Sequence, residues 1–339
     1  MLYGIVAATS ALLLAAVLSA LGRVPALRLG VVDRRRQRPL PVFGGVAIVL
    51  ATCLVTLVGD RAGVARLGDG VGRLLVAGAG VALLGLVADV RRVKVRVLVV
   101  GTAVAAACVV PYEETGVVGG ALAVAWVVFV ALAFRALDHA DALAGTVGVV
   151  TAFGVGACAA AEVMDGLAVL LSVLAAALTG FLMHNWHPAR VGLGACGSLF
   201  TGFVLASAAV FTRAGYGIAS SAGVLFSLTA VASADVILVV FARRLGGRAL
   251  LRRGPDHLAH RLRRSGLTPA GVTVLLGLGA FSGVLVGVLV HVGWIAESAV
   301  LWVGGGVLGV VGVLLRIPGS SPRGPGTPQV TGQLRVRNG

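Results

Sequence analysis

The sequence predicts an all-α fold: a bundle of about eleven transmembrane helices, with the amino terminus outside and the carboxyl terminus cytoplasmic. Composition sets the class, since 58% of the 339 residues are hydrophobic and 12% charged. Mean hydropathy is +1.01, whereas a soluble domain carries about 25% charged residues. Apolar runs of about 20 residues, enough to cross a hydrocarbon core of about 30 Å, recur along the whole chain. All but four of the 28 Lys and Arg residues fall in alternate segments between these runs, as cytoplasmic loops do.

The first run, 2–22, has no basic residue ahead of it, and Arg23, Arg28 and Arg34 to Arg36 follow it. A cleaved signal peptide carries its positive charge before the apolar region, so this run is expected to remain as the first span. The charge behind it places the amino terminus outside. Further spans are expected near 42–59, 72–88, 96–110, 117–134, 143–162, 166–182, 198–212, 221–241, 269–291 and 294–315. The four exceptional cations, Arg61, Arg66, Arg73 and Arg213, fall in outer loops. Other outer loops are acidic, at Pro111-Tyr112-Glu113-Glu114 and between Glu162 and Asp165. The membrane domain is thus expected over 1–317. A basic tail, 318–339, is too poor in apolar residues to fold alone and is expected to be disordered in the cytoplasm.

A net charge of +15 and a pI near 11.5 would suit nucleic acid. The topology explains the charge better, because basic loops meet anionic lipid headgroups at about 1 kcal/mol per residue, so a plasma-membrane location without nucleic acid is expected. Cys53, Cys108, Cys158 and Cys196 are isolated and show no CxxC or CxxH spacing, which argues against a disulfide framework or a cysteine zinc site. No matching interrupted spans relate the two halves, as a pseudo-symmetric transporter would require.

Charge is costly in hydrocarbon, so the polar residues near span ends locate function. Asp33, Asp89, Asp138, Asp141, Asn185, His187, Asp235, Asp256, His257 and His260 all fall in inner segments, from which five loops can converge on a cytoplasmic cleft. Asp138 and Asp141 lie three residues apart on one helical face, a spacing that suits magnesium. Equally, Arg135 and Asp138 can form a local ion pair while Asp141 caps the next helix. In Gly254 to Arg261, His257, His260 and Arg261 share a face and suit a phosphate clamp, or are incidental to a basic interfacial helix. The glycines of 41–45 and 192–198 either admit phosphate to the backbone or allow close helix packing.

Taken in order, these segments resemble the polyprenyl-phosphate N-acetylhexosamine-1-phosphate transferases, the membrane family that includes the phospho-N-acetylmuramoyl-pentapeptide translocase. Val32-Asp33 with Pro39 to Gly45 is similar to the first inner loop of that family, and Gly85 to Asp89 to the segment ending in an Asp-Asp pair. Arg135 to Gly145 is similar to NxxNxxDGxDG, and Phe181 to Ser198 to FLxxNxxPAxxxxGDxGS. Asp235, Arg243 and Arg244 with Asp256 to Leu262 are similar to the DHLHHRL region.

The resemblance implies magnesium-dependent transfer of a sugar-1-phosphate from a UDP-N-acetylhexosamine to undecaprenyl or another polyprenyl phosphate, with release of UMP, in cell-envelope synthesis. It implies catalytic roles for Asp89, Asp141, His257 and His260, and substrate contacts from Asn185, Ser198, Arg261, Gly44 and Gly45. Asp89, Asp138 and Asp141 would be the metal ligands, and a homodimer is left open. Ala88, Ala144, Ala195 and Ala259 depart from the motifs at chemically important positions, Ala195 replacing a magnesium-binding Asp. Two readings follow: a divergent transferase, or a noncatalytic relative that binds the lipid phosphate or nucleotide sugar or partners an active enzyme.

Overall fold

The computed structural model describes residues 2–28, 30, 32–33, 40–63, 66–91, 93–247, 254 and 256–317. The expected tail, 318–339, lies outside them. The elements in chain order are α1 (Leu2–Leu21), α2 (Arg23–Arg28), β1 (Val32–Asp33), β2 (Leu40–Pro41), α3 (Gly44–Arg61), α4 (Gly68–Val90), α5 (Val95–Ala107) and α6 (Tyr112–Leu137). They continue with α7 (Leu143–Ala161), α8 (Asp165–Asn185), α9 (Gly194–Thr212), α10 (Ile218–Leu228), α11 (Ala230–Leu245), α12 (Leu258–Arg264), α13 (Pro269–His291) and α14 (Ala299–Arg316).

The protein is an all-α membrane bundle in which each expected apolar run contains a helix, the run 221–241 being split between α10 and α11. Among the described residues, nine helices are long and apolar enough to cross a bilayer, or ten if α10 and α11 make one span. Two features account for the difference from eleven. Helix α5 has 13 residues, about 20 Å at 1.5 Å per residue, short of the hydrocarbon thickness. Helices α10 and α11 meet at an angle of 87°.

Helix α9 is the axis of the bundle, with every residue but Phe211 buried. Small residues let its neighbours approach. A Cβ on Gly45 of α3 would collide with the backbone of Gly197, and one on Gly85 of α4 would lie 2.5 Å from the Ala195 carbonyl oxygen. Gly202 packs against Ala131 of α6 in the same way, at 2.8 Å. In a bilayer this close packing, not water exclusion, drives helix association. At the periphery α14 buries only Val311 and Leu314 and exposes Leu301 and Trp302.

The helix ends sort into two groups. At one end the β1–β2 hairpin, pairing Val32 with Pro41 and Asp33 with Leu40, joins the α8–α9 connection through a bridge between Val42 and Gly192. The ends of α4 and α6, the α6–α7 and α8–α9 connections, helix α12 and the starts of α9 and α13 line one cleft there. At the far end a smaller cavity gathers the start of α4, the α5–α6 and α7–α8 turns and the end of α9.

Candidate active-site cleft

The cleft has a volume of about 1060 Å³, and Asp89, Asp138, Asp141, His257, His260 and Arg263 are among its lining residues. Its floor is the start of α9. The first amides of a helix have no partner within it and carry partial positive charge, and here two carboxylates from other helices take them. Asp89 accepts from the Ala195 amide through Oδ1 at 2.8 Å and from the Cys196 amide through Oδ2 at 3.0 Å. Asp138 Oδ2 accepts from the Gly194 amide at 2.9 Å. Gly194 has φ +73°, a left-handed conformation that glycine adopts without strain, and this turns the chain into α9.

The third carboxylate belongs to the α6–α7 turn. Asp141 Oδ2 lies 2.9 Å from His187 Nδ1 and accepts from the Ala189 amide at 3.2 Å. The next residue, Ala142, has φ 59°, an unfavourable conformation for a side-chain-bearing residue. It stands where the resembled motif has its first glycine. Asn185 secures it: its Oδ1 accepts from the Ala142 amide at 2.8 Å while its Nδ2 donates to the Val191 carbonyl at 2.7 Å. Asn185 is buried and ties the α6–α7 turn to the α8–α9 connection.

A histidine cluster forms the opposite wall. Asp235 of α11 is fully buried; its Oδ1 accepts from the Leu258 amide and its Oδ2 lies 2.8 Å from His257 Nδ1. His139 stacks on His257 with ring centroids 4.3 Å apart and tilts against His260 at 5.0 Å. Its Nδ1 lies 2.7 Å from the Ala136 carbonyl oxygen. An oxygen there accepts only, so Nδ1 carries the proton and Nε2 is a bare lone pair; that atom is buried without a hydrogen-bond partner. Burial pushes the His139 pKa down to about 4, with His257 adding to the effect and Asp235 opposing it. His260 is pushed down as well, first by burial and then by His257. One ligand atom each from His139, Asp235 and His257 lies within 4.8 Å of the others, so this cluster is capable of holding a metal ion.

The structure thus brings Asp89, Asp138, Asp141, His257 and His260 to the cleft. The five expected substrate-contact residues are behind its wall. Ser198 donates to the Gly194 carbonyl at 2.6 Å. Arg261, also buried, donates through Nη1 to the Leu314 and Ile317 carbonyls at 2.7 and 3.1 Å, anchoring the end of α14. A Cβ on Gly44 would collide with Phe181, and Gly45 faces Gly197; with Asn185, these residues shape the site from outside it. From the sequence, His139 and Arg263 receive no role, and Asp235 is placed on the inner face and in the DHLHHRL-like region without a specific contact. The available signal for His139 is its position between Asp138 and Asp141.

Residues 72–213 match the model of the family described as glycosyl transferase family 4. Over its whole length, and over 80% of the relative, the chain is 63% identical to a putative glycosyltransferase of Streptomyces coelicolor. The chain belongs to glycosyl transferase family 4. Within this family of polyprenyl-phosphate N-acetylhexosamine-phosphate transferases, it is 26% identical to a decaprenyl-phosphate N-acetylglucosaminephosphotransferase of Mycolicibacterium smegmatis, across 76% of the chain and 74% of the relative. A phospho-N-acetylmuramoyl-pentapeptide-transferase of Desulforamulus reducens is 34% identical across 45% of the chain and 44% of its own length. The match at 72–213 takes in Asp89, Asp138, Asp141 and Asn185 and ends before Asp235, His257 and His260.

Proposed function

We propose that this membrane-embedded family 4 protein transfers a sugar-1-phosphate from a UDP-N-acetylhexosamine to polyprenyl phosphate, at a cleft on the cytoplasmic face of the plasma membrane. The observation that supports it best is the convergence of Asp89, Asp138, Asp141, His257, His260 and Arg263, from separate chain segments, on one large cleft at one end of an apolar bundle. A water-borne diphosphate and a lipid phosphate can meet only at such a boundary.

In the reaction an oxygen of the lipid phosphate bonds to the sugar-bearing phosphorus. The bond from that phosphorus to the bridging oxygen breaks, and UMP leaves with the electron pair. His260 and Arg263 would face the diphosphate, and Asp141 would hold His187 at the rim. Magnesium takes one or two protein carboxylates and fills its shell with water and substrate phosphates. Asp138 and Asp141 both line the cleft and fit that requirement; they would hold the ion, which when bound would screen the diphosphate charge. Asp89, whose two oxygens both engage α9, would serve mainly to position that helix.

One observation favours the noncatalytic alternative. The methyl of Ala195 takes the place of a motif carboxylate, while Asp89 and Asp138 bond to amides of that same helical turn. Detergent-purified protein supplied with polyprenyl phosphate and a panel of UDP-N-acetylhexosamines decides between the readings. The expected outcome is magnesium-dependent UMP release that falls about a hundredfold or more in Asp141→Asn. Folded protein that releases no UMP above background would leave the noncatalytic binding role in its place.

A further inference from the structure

We propose that His139, Asp235 and His257 form a binding site for a divalent transition metal of the zinc class, with a donor set separate from the magnesium donors Asp138 and Asp141. The site needs no UMP release to exist, so it can fail or hold independently of the transferase reading. Its donors come from three places in the fold: the α6–α7 turn, the middle of α11 and the residue preceding α12. Two imidazoles and one carboxylate make a nitrogen-rich set. Imidazole suits zinc and its neighbours in the first transition row, whereas magnesium prefers an all-oxygen shell.

Two of the three donors, His139 and Asp235, are already oriented as metal ligands are, while His257 Nδ1 faces Asp235 Oδ2 at 2.8 Å. A ligating histidine usually donates its second ring N–H to a carbonyl or carboxylate. His139 does so at 2.7 Å to the Ala136 carbonyl, which leaves Nε2 bare, buried and without a hydrogen-bond partner. Asp235 is held by the Leu258 amide at 2.8 Å. Its carboxylate is fully buried, and an isolated buried charge is expensive. A cation offsets that charge directly. The competing occupant is a proton on His257, 2.8 Å from Asp235.

The ligand atoms lie within 4.8 Å of one another, against edges of about 3.4 Å in a tetrahedral shell with bonds of about 2.1 Å. Side-chain rotations on the order of 1 Å would draw in the wider separations and open the 2.8 Å His257–Asp235 contact to that edge. Because His139 and His257 both line the cleft, the fourth position would open toward it and take water.

Cobalt(II) is the probe, titrated into the full-length, chelator-stripped protein in detergent with excess magnesium present. Saturable binding of one equivalent with intense tetrahedral visible bands is expected. Affinity should fall about a hundredfold or more in His139→Phe and in His257→Phe, which keep a stacked ring, and should stay unchanged in Asp138→Asn. His139→Gln serves as a second variant, and matched elution and melting identify folded protein. Three results would overturn the site: no saturable binding by the folded protein, equal affinity in the folded His139 and His257 variants, or displacement of cobalt by magnesium at comparable concentration.

Discussion

At Ala142 the chain holds a left-handed backbone angle, φ 59°, on a residue with a Cβ. Such a conformation costs about 1–2 kcal/mol, so Ala142→Gly should raise stability by about 1 kcal/mol, less the added freedom of the unfolded chain. Thermal unfolding in detergent checks the sign. The opposing contact is Asn185, which is 3% exposed. Asn185→Ala would strand the buried Ala142 amide and Val191 carbonyl and should cost about 2–6 kcal/mol, from about 1–3 kcal/mol per orphaned group. Titration adds a third expectation. Because burial holds the His139 pKa at about 4 against an ordinary 6.5, the unfolded chain binds more protons between those values. Stability of metal-stripped protein should therefore fall as pH drops from about 6.5 to about 4, and level off below, by about 3 kcal/mol; His139→Phe should flatten that slope. These residues also mark what the sequence reveals of the site. The carboxylates were legible because Asp89 and Asp141 hold motif positions and Asp138 lies three residues before Asp141. The inward role of Asn185 and Ser198 was not, because spacing shows which residues meet but not which way a side chain turns. Asp235 pairs with His257 across 22 positions, a separation that no local pattern carries.

Among the elements, the contact of α3 with α9 is the most constrained. Gly45 and Gly197 face each other backbone to backbone, so Gly45→Ala must push the helices apart at the cleft floor. A loss of about 1–3 kcal/mol is expected, as for other overpacked interiors. Gly304 of α14 meets nothing within 4 Å of its would-be Cβ. Gly304→Ala should leave melting unchanged or raise it slightly, because alanine favours helix by about 1 kcal/mol. Equal losses in the two variants would contradict the packing argument. The helices themselves were legible from apolar length, which is the dominant signal in a bilayer solvent. The break between α10 and α11 was not, since Ser227-Leu228-Thr229-Ala230 contains neither proline nor glycine. What sustains it is tertiary: the Thr151 hydroxyl donates to the Leu228 carbonyl at 3.3 Å, and Thr229 leaves helical geometry at φ −121° and ψ 22°. Membrane helices break where a neighbour supplies the missing hydrogen bond, and that neighbour is 77 residues away in sequence.

Across the whole molecule the two ends differ in chemistry. The cleft end carries Arg23, Arg28, Lys94, Arg96, Arg190, Arg243 and Arg244 on segments adjoining the cleft or its helix ends. At the far end charge is mixed and partly locked away. The Arg213 guanidinium lies 3.8 Å from the centre of the Tyr216 ring and donates to Ser220 Oγ at 2.7 Å, while Tyr216 donates to Glu162 at 2.6 Å. Burial pushes the Arg213 pKa down, yet nearby Tyr216 and Glu297 oppose that shift. Lys and Arg near span ends are retained in the cytoplasm, whereas acidic residues contribute little to orientation. The asymmetry therefore predicts that the cleft faces inward, where nucleotide sugars are available. In a background with all four cysteines replaced, Ala62→Cys at the far end of α3 should react with a membrane-impermeant maleimide on intact cells. Trp186→Cys, exposed beside the cleft, should react only after permeabilisation. The reverse pattern would put the cleft outside, away from any cytoplasmic nucleotide sugar, and would rule out the transferase reading even for a protein that binds polyprenyl phosphate.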